Sequence, residues 1–563
     1  MSLMSSTATL TSAAQSTDFD APHTAASVNA AANVAENLIA LGETQPALAD
    51  RLCDVICDAS WVYGRDGTLT AMNGDGTWWA GCSVPLAASR LMLKSLEGTG
   101  TTACFLLPFH AAALRAALDM RKPEQAIIAV VPDEHALAVI LRCQDFSSDI
   151  AHHRLWLACG EEWPTELDEL FTAQPGLPTP TQFIRLRDGN EESADALIEP
   201  AQRMISKHVT ERGRTIARLR QRPRMRRDGQ IDPSRICFIA PSRFRLWEDA
   251  GHTLDTMARA IGGTIFDCDD PAGASPLALA SSIADCDIVI ALNASRAEAT
   301  GVAPLDLPWM TWLTTPRVPP VASAGPNDRL LLADEQWREI ATHAGWSPDC
   351  VSVATMPVID DEPCPDGTER ALTIIADTGS LQPPARIVDM SSHRLLWELM
   401  RDELLDNPFS VGTSIITYFD RWIAKSGIAP ASLDRPNLID QLIAPAYAQG
   451  VIRALSSSGV PLRVFGQGWD DLPAGVHRGD VVSRDVFRQV VRSSLALVHV
   501  WPTDAMHPIN GCGRPVLGRC KNKSELLDSA RRMLTETPRA VFANATAALS
   551  PKLLGKIVAN ALS

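Results

Sequence analysis

Short hydrophobic runs recur along the chain, and segments with the hydrophobic spacing of helices lie between them. The runs stop at glycine, proline or polar residues, which is typical of strands buried on both faces of a parallel sheet. The pattern predicts strands at 103–107, 126–131, 153–158, 236–240, 264–267, 287–293, 309–313, 329–333, 351–354, 372–377, 462–465 and 495–500. Strands that alternate with helices in this way indicate an α/β fold.

The first group of predicted strands follows a hairpin that turns at Asp66-Gly67. The loop after its first strand, 107–110, contains no glycine, although a close backbone approach to a cofactor usually needs one. Asp133 and Glu134 follow the second strand, where a carboxylate can hold a ribose or simply cap the next helix. We therefore expect a structural or partner-recognition domain rather than a working cofactor site.

A second group of strands spans 235–372 and carries polar residues at its strand ends. Ser242 and Arg243 follow the strand at 236–240, and Asn293 and Arg296 follow the strand at 287–293. Residues at the carboxyl ends of parallel strands can contact a substrate, although Asn and Ser there also cap helices.

The last group contains two consecutive strand–loop–helix units. The strand at 462–465 stops at Gly466-Gln467-Gly468-Trp469, and a helix is predicted at 486–492. The next strand, 495–500, leads into a loop that ends in Gly513-Arg514 before a further strand. Glycine-containing loops at the carboxyl ends of parallel strands indicate a ligand site.

This order of motifs resembles the CgeB-like (spore-protein type) branch of GT-B glycosyltransferases. The residues that fall on its pattern are Gly466, Gly468, Trp469, Gly479, Val481, Cys512, Gly513, Pro515, Val516 and Leu517. The Ser-Arg-Phe sequence at 242–244 and the Trp-containing strand at 309–313 resemble the acceptor half of the same enzymes. The N-terminal part resembles the Rossmann-like domain of Maf-type protein-glycosylation enzymes.

The resemblance implies an α/β fold with two Rossmann-like domains in GT-B arrangement, preceded by a third Rossmann-like domain. We expect a disordered tail at 1–33 and an N-terminal domain with a linker helix at 34–228. An acceptor-side domain at 229–371 follows. The nucleotide-sugar-side domain covers 372–563 and ends in a crossover helix.

The resemblance also implies a function, the transfer of a sugar from a nucleotide-sugar to a protein or glycan acceptor without a metal. The donor, UDP- or GDP-linked, is a substrate, and no other cofactor is expected. We assign His507 and His499 to catalysis and Ser242, Arg243, Asn293 and Arg296 to substrate binding. The residues assigned to the nucleotide-sugar are Gly466, Gly468, Trp469, Gly513 and Arg514.

Composition narrows the choice of partners. The chain has 563 residues and a formal net charge of −15, which disfavours a general nucleic-acid surface. The arginine-rich segment Arg212 to Arg227 is the exception, and it is either a solvated linker or a contact for an anionic partner. The 13 cysteines lack metal-ligand spacing, and no hydrophobic run could span a membrane, so we expect a cytoplasmic protein.

A second functional class stays open, a non-catalytic protein that keeps the GT-B shell for binding. The family's acidic residue before the glycine would fall on Pro508, and no carboxylate lies between Asp504 and Gly513. Methyl transfer by the N-terminal domain is a third class, and the glycine-free loop at 107–110 speaks against it. The oligomeric state does not follow from the sequence.

Overall fold

The computed structural model consists of two compact units. One comprises Met1–Arg218 and Asp269–Leu279, and the other comprises Leu219–Cys268 and Ala280–Ser563. The residues that the structure describes are 20–93, 102–122, 124–186, 191–221, 232–241, 250–299, 301–315, 317–354, 369–378, 381–383, 387, 390–412, 414–428, 438–469, 472, 475–502 and 514–535.

The first unit contains an antiparallel hairpin and a four-stranded parallel sheet. The hairpin strands are β1 (Ser60–Tyr63) and β2 (Leu69–Met72). The sheet strands are β3 (Ala103–Leu106), β4 (Ile127–Val131), β5 (Leu155–Cys159) and β6 (Gln182–Ile184). Their order is β5-β4-β3-β6, so the chain builds outward from β3 and then crosses to its other side.

The second unit contains two further parallel sheets. The first has six strands, namely β7 (Ile236–Ala240), β8 (Thr264–Asp267), β9 (Ile288–Leu292), β10 (Trp309–Leu313), β11 (Arg329–Leu332) and β12 (Val351–Val353). The second has five, namely β13 (Glu369–Ile375), β14 (Leu462–Phe465), β15 (His477–Gly479), β16 (Ser494–Val498) and β17 (Val516–Leu517).

Strand order in these two sheets defines where ligand sites are expected. The six-stranded sheet has the order β12-β11-β10-β9-β7-β8, and the five-stranded sheet has the order β15-β14-β13-β16-β17. Chain direction across the sheet reverses between β7 and β9 in the first and between β13 and β16 in the second. Open parallel sheets bind ligands at the carboxyl ends of the strands beside such a switch point.

Helices lie between the parallel strands, and further helices precede the first and follow the last of them. They are α1 (Asp20–Thr44), α2 (Pro46–Cys53), α3 (Pro85–Leu93), α4 (Ala111–Asp119), α5 (Glu134–Cys143), α6 (Ser147–Ala151), α7 (Trp163–Ala173), α8 (Glu191–Arg220), α9 (Ala250–Ile261), α10 (Pro276–Ile283), α11 (Trp337–His343), α12 (Ser391–Asp406), α13 (Ile415–Ser426), α14 (Ala444–Ser456), α15 (Arg484–Arg492) and α16 (Lys523–Thr535). The predicted α/β fold class is confirmed, with three Rossmann-like parallel sheets. The GT-B arrangement stays a prediction. The predicted domain boundaries stay predictions, and the predicted crossover helix lies outside the described residues.

One prediction about the N-terminus is wrong. Helix α1 begins at Asp20, so the disordered tail does not extend to Asn33. Ala26 and Ala30 are buried against Leu69 of the hairpin, where only small side chains allow the helix to lie so close. The alanines of this segment therefore form a packing surface, and alanine is also the best helix former. Residues 1–19 lie outside the described part of the chain.

Candidate functional site

Two loops meet at the carboxyl end of the five-stranded sheet. The Ala376 amide donates to Phe465 O at 3.0 Å, and the Thr378 amide donates to Gln467 O at 2.9 Å. The pairing of β13 with β14 therefore continues beyond the ends of both strands. Residues 376–378, 466–469 and 499 follow the three neighbouring strands β13, β14 and β16, which lie at the switch point of this sheet. We call them the switch-point site.

Close packing of these two loops explains the glycines that the sequence singles out. Gly466 has φ +123°, and a β-carbon there would lie 2.2 Å from Ala376 O. Gly468 has φ +81°, and its β-carbon would lie 1.9 Å from Thr378 O. Both distances are far below van der Waals contact, so glycine is required at both positions whether or not a nucleotide binds.

Trp469 completes the packing of the second loop. Its side chain is buried, and its indole Nε1–H donates to Ala376 O at 2.6 Å. A buried indole N–H usually needs a hydrogen-bond acceptor, and here Ala376 O accepts it, so Trp469 holds the loop against the core. The predicted contacts of Gly466, Gly468 and Trp469 with a nucleotide-sugar stay predictions.

A half-buried carboxylate, Asp377, lies in the middle of the switch-point site. Its Oδ1 accepts a hydrogen bond from the Gln467 amide at 2.8 Å. Burial raises the pKa of Asp377 above its usual range and the nearby charge of Asp480 adds to this rise, while the bond from Gln467 opposes it. The hydrophobic pattern shows Asp377 only as the end of a strand, and its place at a switch point follows from strand order alone.

Further polar groups surround this carboxylate. Thr378 is buried, and its hydroxyl accepts a hydrogen bond from Gln449 Nε2 at 3.1 Å. His477 Nε2 lies 3.0 Å from Gly466 O and 3.8 Å from a carboxylate oxygen of Asp480. The loop after β14 thus contacts His477, which lies near Asp480, the carboxylate whose charge helps to raise the pKa of Asp377.

The other residues predicted for this half are found in different places. His499 is buried at the end of β16, with its backbone amide donating to Leu517 O at 2.9 Å. Arg514 precedes β17 and donates to Arg492 O, just before β16 begins. Arg514 therefore lies at the amino end of the sheet, away from the switch-point site. His507 and Gly513 lie outside the described residues, and all four roles stay predictions.

The switch point of the six-stranded sheet carries Asn293. This residue follows β9 with φ +52°, a left-handed conformation that asparagine tolerates better than most residues. Its side-chain amide donates to Thr314 Oγ1 at 2.7 Å, and its Oδ1 accepts from the Thr314 amide at 2.8 Å. Asn293 therefore ties together the loops after β9 and β10. Ser242 and Arg243, which follow β7, lie outside the described residues.

Arg296 is buried in an ion pair instead of standing at a surface. Its Nε lies 2.9 Å from Asp328 Oδ2, and its Nη1 donates to Pro304 O at 2.6 Å. The guanidinium also lies over the Trp309 ring, 5.7 Å from its centroid. These contacts give Arg296 a structural role, and a direct substrate contact stays a prediction.

Carboxylates at the strand ends of the four-stranded sheet serve as caps and ion-pair partners. Asp133 Oδ1 accepts from the His135 amide at 2.9 Å and so caps α5. Glu134 pairs with Arg51 at 3.0 Å. The glycine-free loop after β3 places Leu107 at φ +51° and uses the buried His110 to cap α4. The described contacts thus account for these side chains without a cofactor.

The arginine-rich segment divides into buried and exposed positions. Arg212 is buried, and its Nη2 donates to the carbonyl oxygens of Phe171 at 2.9 Å and Gln174 at 3.1 Å. Arg214, Arg218 and Arg220 are exposed along the end of α8. Residues 222–227 lie outside the described part of the chain, and an anionic partner for this segment stays a prediction.

The described ranges contain neither a membrane-spanning helix nor a cluster of metal-ligating side chains. No helix in them is both long and hydrophobic enough to span a membrane. Their His, Cys, Asp and Glu side chains nowhere form a group of three or more that could hold a metal ion.

Comparisons with known proteins yield no sequence-level match, neither to a family model nor to a curated protein. Two solved structures are similar to part of the chain. The MAf glycosyltransferase from Magnetospirillum magneticum AMB-1 is 14% identical with a TM-score of 0.24, over 58% of this chain and 57% of that one. AviGT4, a glycosyltransferase involved in avilamycin A biosynthesis, is 12% identical with a TM-score of 0.26, over 54% of this chain and 89% of that one. This chain thus spans little more than half the length of the first, and the fold assignment rests on its own strand orders.

Proposed function

We propose that the chain is a glycosyltransferase that binds a UDP- or GDP-linked sugar at the switch-point site and transfers the sugar to a protein or glycan acceptor. The observation that carries the proposal is Asp377, a half-buried carboxylate at the carboxyl end of the first strand of a Rossmann-like sheet. Ligands of such sheets bind at this place. A carboxylate there can accept hydrogen bonds from sugar hydroxyls or take a proton from an acceptor hydroxyl.

The raised pKa of Asp377 fits either role. A carboxylate whose pKa lies nearer the working pH is a better proton acceptor than a fully solvated aspartate. Burial also strengthens each hydrogen bond that the carboxylate makes to a hydroxyl group. The mechanism that the GT-B resemblance implies is metal-independent, with loop amides and basic side chains stabilising the leaving diphosphate. His507 and His499 remain the proposed proton-transfer residues, and Ser242, Arg243, Asn293 and Arg296 remain the proposed acceptor contacts.

Calorimetry with UDP, GDP, CMP, dTDP and their sugars tests the donor site. We expect one nucleotide to bind and to raise the melting temperature of the wild type, because it binds only the native state. Asp377→Asn should weaken binding of the sugar-nucleotide about tenfold, the effect of losing one charge-assisted hydrogen bond. Asp485→Asn, at an exposed position in the first turn of α15, is the matched control. No binding across the panel would refute the proposal.

A specific observation also favours the second candidate function, a non-catalytic binding protein. The glycines at 466 and 468 and the indole of Trp469 are all accounted for by packing against the loop after β13. Those residues would therefore be kept in a protein that retains the fold but no longer binds a nucleotide-sugar. This alternative requires that none of the nucleotides or their sugars binds, and that no sugar is transferred to any acceptor that is offered.

A further inference from the structure

A polar cavity lies in the same unit as the switch-point site and is lined by other residues. It has a volume of about 450 Å³ and is bordered by the end of α12, the last turns of α14 and the start of α16. This cavity is open to solvent, and three exposed cationic residues line it, namely Arg453, Lys521 and Lys523. We call it the basic cavity. The loops that form the switch-point site contribute none of its lining residues.

The charges around the basic cavity are unbalanced. Asp406 is the carboxylate among the lining residues, against three cations. Within the part of the chain that the structure describes, none of these four side chains forms an ion pair, although the chain as a whole has 66 acidic and 51 basic residues. Like charges that share one cavity repel one another, and an anion bound between them would remove that repulsion.

The backbone that carries the two lysines is held in place by a reciprocal cap. The Lys521 amide donates to Glu525 Oε2 at 2.6 Å, and the Glu525 amide donates to Asn522 Oδ1 at 2.9 Å. These bonds fix the segment 521–523 and use polar groups at the start of α16. A ligand in the basic cavity would therefore be bound by the cationic side chains, with little ordering of the backbone on binding.

Helix stability explains only one of the three cations. Arg453 lies in the last turn of α14, where a positive charge is favourable because it faces the negative end of the helix dipole. Lys521 and Lys523 stand at the start of α16, where the dipole disfavours positive charge. Two lysines at an unfavourable position, next to a cavity that a third cation also lines, point to a ligand.

We propose that the basic cavity binds a small phosphate-bearing molecule. A phosphate group carries close to two negative charges near neutral pH and suits three cations better than a single carboxylate does. The cavity falls in the size range of sites for small molecules, and three cations in an acidic protein are too few for a nucleic acid. This site is independent of the proposed glycosyl transfer, since neither site contains residues of the other.

The test measures binding of inorganic pyrophosphate to the full-length chain by calorimetry and by thermal shift. The variants are Arg453→Gln and the double variant Lys521→Gln/Lys523→Gln, each keeping most of the side-chain length. The matched control is Arg370→Gln, an exposed arginine of the same unit that lies outside the cavity. We expect the wild type and the control to bind equally, and each cavity variant about tenfold more weakly, because charge-assisted hydrogen bonds are lost.

The unliganded variants give a second readout. The double lysine variant should melt no lower than the wild type, because it removes charge that the helix dipole and its neighbours disfavour. Affinity of the wild type should also fall as salt is raised. Equal affinity of wild type and cavity variants would place the anion elsewhere and overturn the proposal. Binding to phosphatidylcholine vesicles that contain phosphatidic acid, without affinity for free pyrophosphate, would overturn it in favour of a lipid headgroup.

Discussion

Replacing Gly468 by alanine tests the loop packing on which the switch-point site depends. Gly468 has φ +81°, and the added β-carbon would lie 1.9 Å from Thr378 O, a backbone atom that no side-chain rotation can move away. Gly475 is a matched control on the same stretch of chain. It has φ +85°, yet a β-carbon there would meet no atom within 4 Å. The two substitutions therefore share the backbone strain and differ in the clash.

The expected magnitudes follow from these two contributions. A left-handed conformation costs a residue with a β-carbon about 1–2 kcal/mol, and both variants carry this cost. Forcing additional atoms into a packed site costs about 1–3 kcal/mol more, and only Gly468→Ala carries that. We expect Gly475→Ala to lower the free energy of unfolding by about 1–2 kcal/mol. Gly468→Ala should lower it by about 2–5 kcal/mol.

Urea denaturation followed by tryptophan fluorescence measures both values. The chain has 14 tryptophans, so the signal reports unfolding of the whole chain, and Trp469, buried beside the altered position and bonded to Ala376 O, contributes to it. Gly468→Ala should also lower the affinity of the site for any nucleotide that it binds, because Thr378 O must move to make room for the added β-carbon. Equal destabilisation of the two variants would mean that the loops after β13 and β14 are not in contact, and would refute the site geometry.

Three further outcomes can be measured in the same way. Asp377 has a raised pKa in the folded state, so its contribution to stability is present below the ordinary aspartate pKa of about 3.9 and is lost as pH rises through the raised value. Asp377→Asn should therefore be more stable than the wild type at pH 7 and lose that advantage in acid, and a constant difference across pH would contradict this cause. Arg296→Met should cost about 3–5 kcal/mol because it leaves Asp328 charged and buried, whereas a loss below about 1 kcal/mol would mean the pair is open to water. Arg212→Met should cost about 1.5–3 kcal/mol through lost hydrogen bonds to backbone carbonyls, while Arg214→Met at an exposed position should change stability by no more than about 0.5 kcal/mol.

Local hydrophobic pattern predicts the strands well and the sheets poorly. The runs at 236–240, 309–313 and 462–465 coincide with β7, β10 and β14, because strands buried on both faces consist mostly of hydrophobic residues. Thr311 and Arg463 are the polar exceptions within these runs. Two short strands, β6 and β15, carry polar residues such as Gln182 and Arg478 and give no such signal. Strand order is a long-range property, so the switch points can be located only in the folded chain.

The same limit explains why the site residues were only partly predictable. Glycines at 466 and 468 are visible in the sequence, but the backbone oxygens that exclude any side chain there come from residues about ninety positions earlier. An arginine after a strand has the same sequence signature whether it faces a ligand or, like Arg296, pairs with an aspartate such as Asp328. Asp377 has no local signature at all, because its importance lies in the two strands beside it.

Asp377 also separates the two candidate functions. An ionised carboxylate held in a half-buried position costs stability at neutral pH, and a protein that no longer binds a donor gains nothing in return. In a non-catalytic binding protein, Asp377→Asn should stabilise the fold and leave the binding of every partner unchanged. In a transferase, the same substitution should stabilise the fold and weaken binding of the nucleotide-sugar, because the unfavourably buried carboxylate is kept for its role in the site. The pair of measurements, unfolding and nucleotide binding on one variant, therefore decides between the functions even before an acceptor is known.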